Sequence, residues 1–135
     1  MKKLCFIPLL FISFFLSAQP NYKVVLDVTS SDTVDHKMAI RWMTGILKAE
    51  PTAQVEAVFF GQSLAMITKG RSVVADAITK LSANKNASFK VCTVAMKAHN
   101  VDVSQLVPGV ETVADGIYEI ITKQREGWGY IKVSH

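Results

Sequence analysis

Cys92 is the residue of this chain best placed to do chemistry. The 135 residues hold two cysteines, and the other, Cys5, lies in an N-terminal apolar run. Ser88 to Cys92 reads as a strand, and Thr93 to His99 as a helix that starts almost at once. The thiol is therefore expected at a strand end, directly before a helix. Unsatisfied amide groups and the helix dipole favour the thiolate there, which is the nucleophilic form. The competing expectation is an inert, buried thiol acting as a small hydrophobe. His99, seven residues on, is no base for this thiol. At ~1.5 Å rise per residue it stands ~10 Å along the helix, beyond hydrogen-bond reach, and is expected at the surface. Lys90 and Lys97 add positive potential, with solvated lysines as the default expectation.

Other motifs are weaker. Gly61-Gln62-Ser63-Leu64-Ala65 follows a strand and opens a helix, a partial likeness to the nucleophile elbow of α/β-hydrolases. Only His99 and His135 follow it, and the chain is short for that fold. A strand-to-helix turn capped by Ser63 is the simpler account. Asp32 and Asp35 bracket the start of the first predicted helix, where capping and dipole compensation explain both. Three histidines, one remaining cysteine and scattered carboxylates show no metal-ligand spacing, so no metal is expected. No phosphate loop or dinucleotide fingerprint is present, and no cofactor is expected. Basic residues do not cluster with aromatics, which argues against nucleic acid as a partner.

The elements that must position Cys92 follow from periodicity. Tyr22 to Val28, Val55 to Phe60, Ser88 to Cys92, Val110 to Val113 and Tyr130 to Val133 read as strands. Met38, Ala39, Trp42, Met43, Ile46 and Leu47 recur at helical spacing and end near Glu50-Pro51. Shorter helices are expected over Ser63 to Thr68, around Val74 to Leu81, and around Ile117 to Gln124 after an Asp115 cap. Strands alternating with helices predict an α/β fold with right-handed crossovers and a mostly parallel sheet of about five strands, covered on both faces. Ligands meet such sheets at the carboxyl ends of the strands. Ser30, Ser31, Gly61, Gln62, Ser63, Thr93 and Met96 are accordingly the pocket candidates around Cys92.

Met1-Lys2-Lys3, the apolar run Leu4 to Leu16 and the small pair Ser17-Ala18 form the pattern of a secretory signal peptide. The run is shorter than the ~20 apolar residues a spanning helix needs. The expectation is a signal over residues 1–18, cleavage after Ala18, and one domain over 19–135, exported to the periplasm or secreted and free of the membrane once cleaved. Losing Lys2 and Lys3 lowers the formal net charge from +4 to +2. Export would leave Cys92 as a lone thiol in a compartment where cysteines usually pair.

Leu106-Val107-Pro108-Gly109-Val110-Glu111-Thr112-Val113, then Gly116, then Gln124-Arg125-Glu126-Gly127-Trp128-Gly129-Tyr130-Ile131, is a distinctive segment. Together with Val24–Val28, Cys92 and Lys97-Ala98-His99-Asn100 it resembles the DsrE/DsrF-like, YchN-like family of small sulfur-relay proteins, in a branch that often carries signal peptides. The resemblance implies a three-layer α/β/α sandwich and a homo-oligomer, trimer or hexamer. It also implies a cysteine that holds sulfur as a persulfide, a role that falls on Cys92 alone. Where relatives in that branch carry an Asn-Thr pair two and three residues after the cysteine, this chain has Val94 and Ala95. The resulting expectation is a sulfur carrier or transferase with a donor and an acceptor thiol protein as partners. The alternatives are an oligomeric module that binds a small ligand, and a structural oligomer with an inert thiol.

Overall fold

Apolar, β-branched runs with little alternation form strands buried on both faces, and that is how this sheet is built. The computed structural model describes residues 21–135, together with Met1; the expected signal segment lies outside the described residues. The strands are β1 (Lys23–Val28), β2 (Gln54–Phe59), β3 (Ala87–Cys92), β4 (Val110–Val113) and β5 (Gly129–Lys132). They form one five-stranded sheet in the order β4-β3-β2-β1-β5, parallel at every pairing. The chain steps outward from β1 to β4 and then crosses back to lay β5 against the free side of β1. Parallel pairing brings the carboxyl ends of all the strands to one edge.

Helix α1 (Thr33–Ala49) starts where the Asp32 side chain accepts the Val34 amide at 2.7 Å. It stops at Glu50, because Pro51 disfavours helical backbone in the residue before it. Its buried stripe, Ala39, Met43 and Leu47, falls four residues apart. That stripe packs with α2 (Ala75–Ser82), through Ile78, on the face formed by Val24, Leu26, Val28, Val55, Ala57, Phe59, Phe89 and Val91. The opposite face is thinner. Val25, Val58 and Ile120 make its core, with Phe60 and Trp128 packed against them, and Ile120 belongs to α4 (Gly116–Arg125). The fold is the predicted α/β sandwich, weighted to one side. Two short 3₁₀ turns, Ser63–Ile67 and Val103–Gln105, complete it. Periodicity does not announce the second; it is held by a reciprocal cap between Asp102 and Gln105.

Candidate functional site around Cys92

Cys92 ends β3 and is the N-cap of α3 (Thr93–Ala98). Strand alternation turns it, with Ser88 and Lys90, toward the α4 face. There the chain comes very close: a Cβ on Gly116 would lie 3.2 Å from the Cys92 Cβ and 3.3 Å from both Phe60 Cδ1 and Val58 Cγ1. Glycine at the first position of α4 thus lets that helix seat against the thiol-bearing strand. Cys92 is 5 % exposed. It lies on the wall of a cavity of about 270 Å³ that it shares with Phe60, Gly61, Gln62, Val94, Ala95, Ala98, His99, Asp115 and Ile117.

The electrostatics of the cavity are balanced. The starts of α3 and α4 both lie beside Cys92, and helix N-termini favour negative charge. Helix α3 has only six residues, so its contribution is small. At α4 the Asp115 carboxylate accepts the amides of Ile117 and Tyr118 at 2.8 and 3.0 Å and compensates the dipole. No lysine or arginine lines the cavity. Lys90 shares the Cys92 face but is ion-paired with Glu111.

Of the residues expected around Cys92, Gly61 and Gln62 line its cavity. Ser63 is fully buried and donates to the Val28 carbonyl at 2.7 Å, closing the turn after β2. Thr93 donates to the Ala114 carbonyl at 3.0 Å and ties the start of α3 to the loop before α4. Met96 belongs to the large core. Ser30 caps its own turn by accepting the Asp32 amide, and Ser31 is exposed; neither reaches the cavity. His99 is exposed as expected, yet it lies on the rim of the same cavity, which runs along the length of α3. Phe60, Ala98, Asp115 and Ile117 also line the cavity, and the sequence reading places none of the four beside Cys92.

A second cavity of about 400 Å³ adjoins the first through Phe60 and Ile117. Its polar end is Asp27, which is buried in β1. Asp27 accepts the Tyr130 hydroxyl at 2.6 Å and the Lys132 ammonium at 2.9 Å. Lys132 also donates to Thr29 and lies 5.8 Å from the Phe60 ring centroid. The bond to Asp27 is the main reason that the Tyr130 phenol is pushed up to about 12. Sequence reading misses this triad, although one signal is there: a single carboxylate inside the apolar run Val24-Val25-Leu26-Asp27-Val28.

The profile of the DsrE/DsrF-like family matches residues 23–133. The chain belongs to that family. Three solved structures share the fold of this DsrE/DsrF-like chain. A protein of unknown function, MTH1491 from Methanobacterium thermoautotrophicum, superposes with a TM-score of 0.77 at 22 % identity, covering 83 % of this chain and 99 % of its own. The ychN protein of E. coli gives 0.65 at 8 % identity, covering 83 % and 98 %. A conserved protein of unknown function, BT1422 from Bacteroides thetaiotaomicron, gives 0.68 at 12 % identity, covering 82 % and 94 %. No curated protein matches the sequence.

Among the described residues of this DsrE/DsrF-like chain, no three His, Cys, Asp or Glu side chains gather where they could hold a metal ion. At the start of α1, His135 meets two carboxylates. His135 Nδ1 meets the buried Asp35 carboxylate at 2.9 Å, and its Nε2 lies 3.9 Å from Asp32. His36 Nε2–H donates to the Ser30 carbonyl at 2.9 Å. The Ser30 hydroxyl first, then His135, hold the Asp35 carboxyl below its ordinary value of 3.8, and Asp35 in turn holds His135 above 6.5. The sign of the linkage follows. The raised histidine contributes stability fully present below about pH 6.5 and lost as pH rises through its folded value. The lowered carboxylate contributes above about pH 3.8, and its share is lost as pH falls through its folded value. His135→Ala is therefore expected to lower the melting temperature slightly near pH 5.5 and to leave it unchanged near pH 9. Equal shifts at both pH values would disprove the pairing. The effect is small because His135 is solvent-exposed.

Proposed function

We propose that this DsrE/DsrF-like protein carries sulfane sulfur as a persulfide on Cys92. The observation that carries this reading is a free thiol on the wall of an open, mainly apolar cavity at the carboxyl edge of a parallel sheet, where such folds bind their ligands. The Cys92 thiolate attacks a sulfur of a polysulfide or persulfide donor. A bond forms between Sγ and the transferred sulfur, the donor's sulfur–sulfur bond breaks, and its electron pair leaves with the shortened donor as a thiolate. An acceptor thiolate then attacks the outer sulfur and frees the Cys92 thiolate, with no net change of oxidation state across the relay. The cavity wall is mainly apolar, with Phe60, Val94, Ala95 and Ile117 in it, which suits a carrier more than a hydrolytic enzyme.

The proposal includes export after cleavage behind Ala18 and assembly as a homo-oligomer, a trimer or hexamer. Ile117, Tyr118, Ile121 and Tyr130 are exposed apolar side chains on α4 and β5, a surface suited to covering by another copy. The low exposure of Cys92 favours one alternative, a ligand-binding module whose cavity the thiol merely lines. Intact-mass analysis separates the two. Cys5→Ser protein, in which Cys92 is the remaining cysteine, is incubated with polysulfide. It is expected to gain mass in steps of one sulfur atom, reversed by dithiothreitol. The added Cys92→Ser change abolishes the gain without altering the oligomer seen by light scattering. Equal masses with and without Cys92 would remove the carrier reading in favour of the binding module.

A further inference from the structure

Phe60, Val94, Ala95, Ala98 and Ile117 give the Cys92 cavity its apolar lining. Two of them stand in water, Val94 at 59 % exposed and Ile117 at 57 %. Apolar side chains left in water together around a concave site mark a binding surface rather than scattered exposure. Ile117 shares the α4 surface suited to another copy, whereas Val94 stands on α3, outside it.

Charge around the cavity points the same way. Among the described residues, no lysine or arginine lines it, and its one carboxylate is Asp115. Lys90 is paired with Glu111, and Lys132, beyond Phe60, is held by Asp27. The lining side chain able to take a positive charge is His99, which is exposed at the rim. The helix starts beside Cys92 add little for an anion, because α3 is short and Asp115 already occupies the free amides of α4. A negatively charged group entering here gives up water, finds no fixed cation and meets the Asp115 carboxylate.

Size sets the remaining limit. The cavity holds about 270 Å³, whereas an apolar cavity of about 150 Å³ already takes a benzene ring. A phenyl group or a branched alkyl chain fits, together with the sulfur pair attached to it.

We propose, on the persulfide reading, that the sulfur donor is a small organic persulfide, R–S–S–H, whose group R is apolar and uncharged and lies against Phe60, Val94 and Ile117. The Cys92 thiolate attacks the outer sulfur, which keeps its proton. The Sγ–S bond forms, the donor's sulfur–sulfur bond breaks, and its electron pair leaves with R–S⁻, which picks up a proton from solvent at the open mouth. Inorganic polysulfide has no hydrocarbon group to bury, so it is a slower donor and needs excess.

Two sets of reagents test this on the full chain carrying Cys5→Ser. Benzyl, 4-carboxybenzyl and methyl methanethiosulfonate label Cys92 without any persulfide, and each rate is divided by that of the same reagent with a small free thiol. The benzyl reagent is expected to exceed the 4-carboxybenzyl reagent by at least about tenfold, and the methyl reagent several-fold. Benzyl persulfide and 4-carboxybenzyl persulfide, compared in the same way by the rate of sulfur-atom mass gain, are expected to follow the same order. Val94→Lys, at an exposed position, is expected to narrow the benzyl-to-carboxybenzyl gap by about threefold or more, by speeding the carboxylate reagent. Asp115→Asn, which still caps α4, is expected to narrow it too. Equal normalised rates for the benzyl and 4-carboxybenzyl methanethiosulfonates would overturn the proposal and leave the exposed Val94 and Ile117 to a protein surface. Equal sulfur gain from the two persulfides would overturn it while leaving the carrier reading intact. A benzyl preference with no sulfur gained from either persulfide or from polysulfide would fail the carrier reading, and this donor with it.

Discussion

Gly109→Ala is expected to lower the free energy of unfolding by about 3 kcal/mol, from two costs that add. Gly109 has φ of +93°, a region that L side chains enter at about 1–2 kcal/mol. A Cβ there would also lie 2.0 Å from Ser82 Oγ and 2.4 Å from Ser82 Cβ. Rotating the hydroxyl away relieves only the first contact, so α2 or the turn must shift, an overpacking cost of about 1–3 kcal/mol. Ser82→Gly added to Gly109→Ala is expected to recover the steric part and leave the backbone part. Urea unfolding of the two single variants and the double variant measures both. A loss below about 0.5 kcal/mol for Gly109→Ala, the size of an ordinary surface change, would refute the argument. The turn leads into β4, whose Val113 pairs in register with Cys92.

Phe59→Ala is expected to cost more, about 4 kcal/mol, the middle of the range for deleting a buried aromatic side chain. Phe59 is fully buried on the central strand β2, and its ring lies 6.3 Å from that of Phe89 at an interplanar angle of 11°. The void cannot collapse easily, because strands pin both sides of it. Against a typical domain stability of about 5–15 kcal/mol, such a loss leaves a protein close to unfolding at body temperature. Phe59→Leu conserves most of the volume and is expected to cost less than about 2 kcal/mol. The two denaturation midpoints should therefore separate clearly; coincident midpoints would show that the ring pair is not holding the sheet to α1 and α2.

The elements are legible in the sequence wherever the signal is local. Val24 to Val28 announces a buried strand by composition. Asp32 and Pro51 bracket α1, and Asp115 marks the start of α4 through the two amides it accepts. The partners of buried charges are not legible, because they come from far away. Tyr130 and Lys132 reach Asp27 across 103 and 105 residues of chain, once β5 crosses the sheet to pair with β1. Nothing in either segment encodes that pairing. Glu56 likewise reads as a polar break in a strand until Ser88 and Lys123 are brought to it. Around Cys92 the alternation of strands and helices points to the right loops but does not sort the side chains within them. The 3₁₀ turn that follows Gly61 and Gln62 points Ser63 inward to the Val28 carbonyl, and Met96 follows the apolar stripe of α3 into the core. Distance along a helix axis rules His99 out as a base, but it says nothing about a cavity that extends beside the whole helix.

The close approach of Gly116 to Cys92 gives the thiol a direction. With the first residue of α4 against its β-carbon, the Cys92 side chain is closed off on that side. In the proposed persulfide, the second sulfur would have the rest of the cavity to occupy, which Gln62, His99 and Asp115 help to line. The anchoring atom would stay buried with Cys92, so that under this proposal an incoming acceptor would meet the cargo before the carrier. Such an arrangement biases attack to the outer sulfur, the one whose departure regenerates the free protein, and away from the inner one, where attack would trap the acceptor in a mixed disulfide.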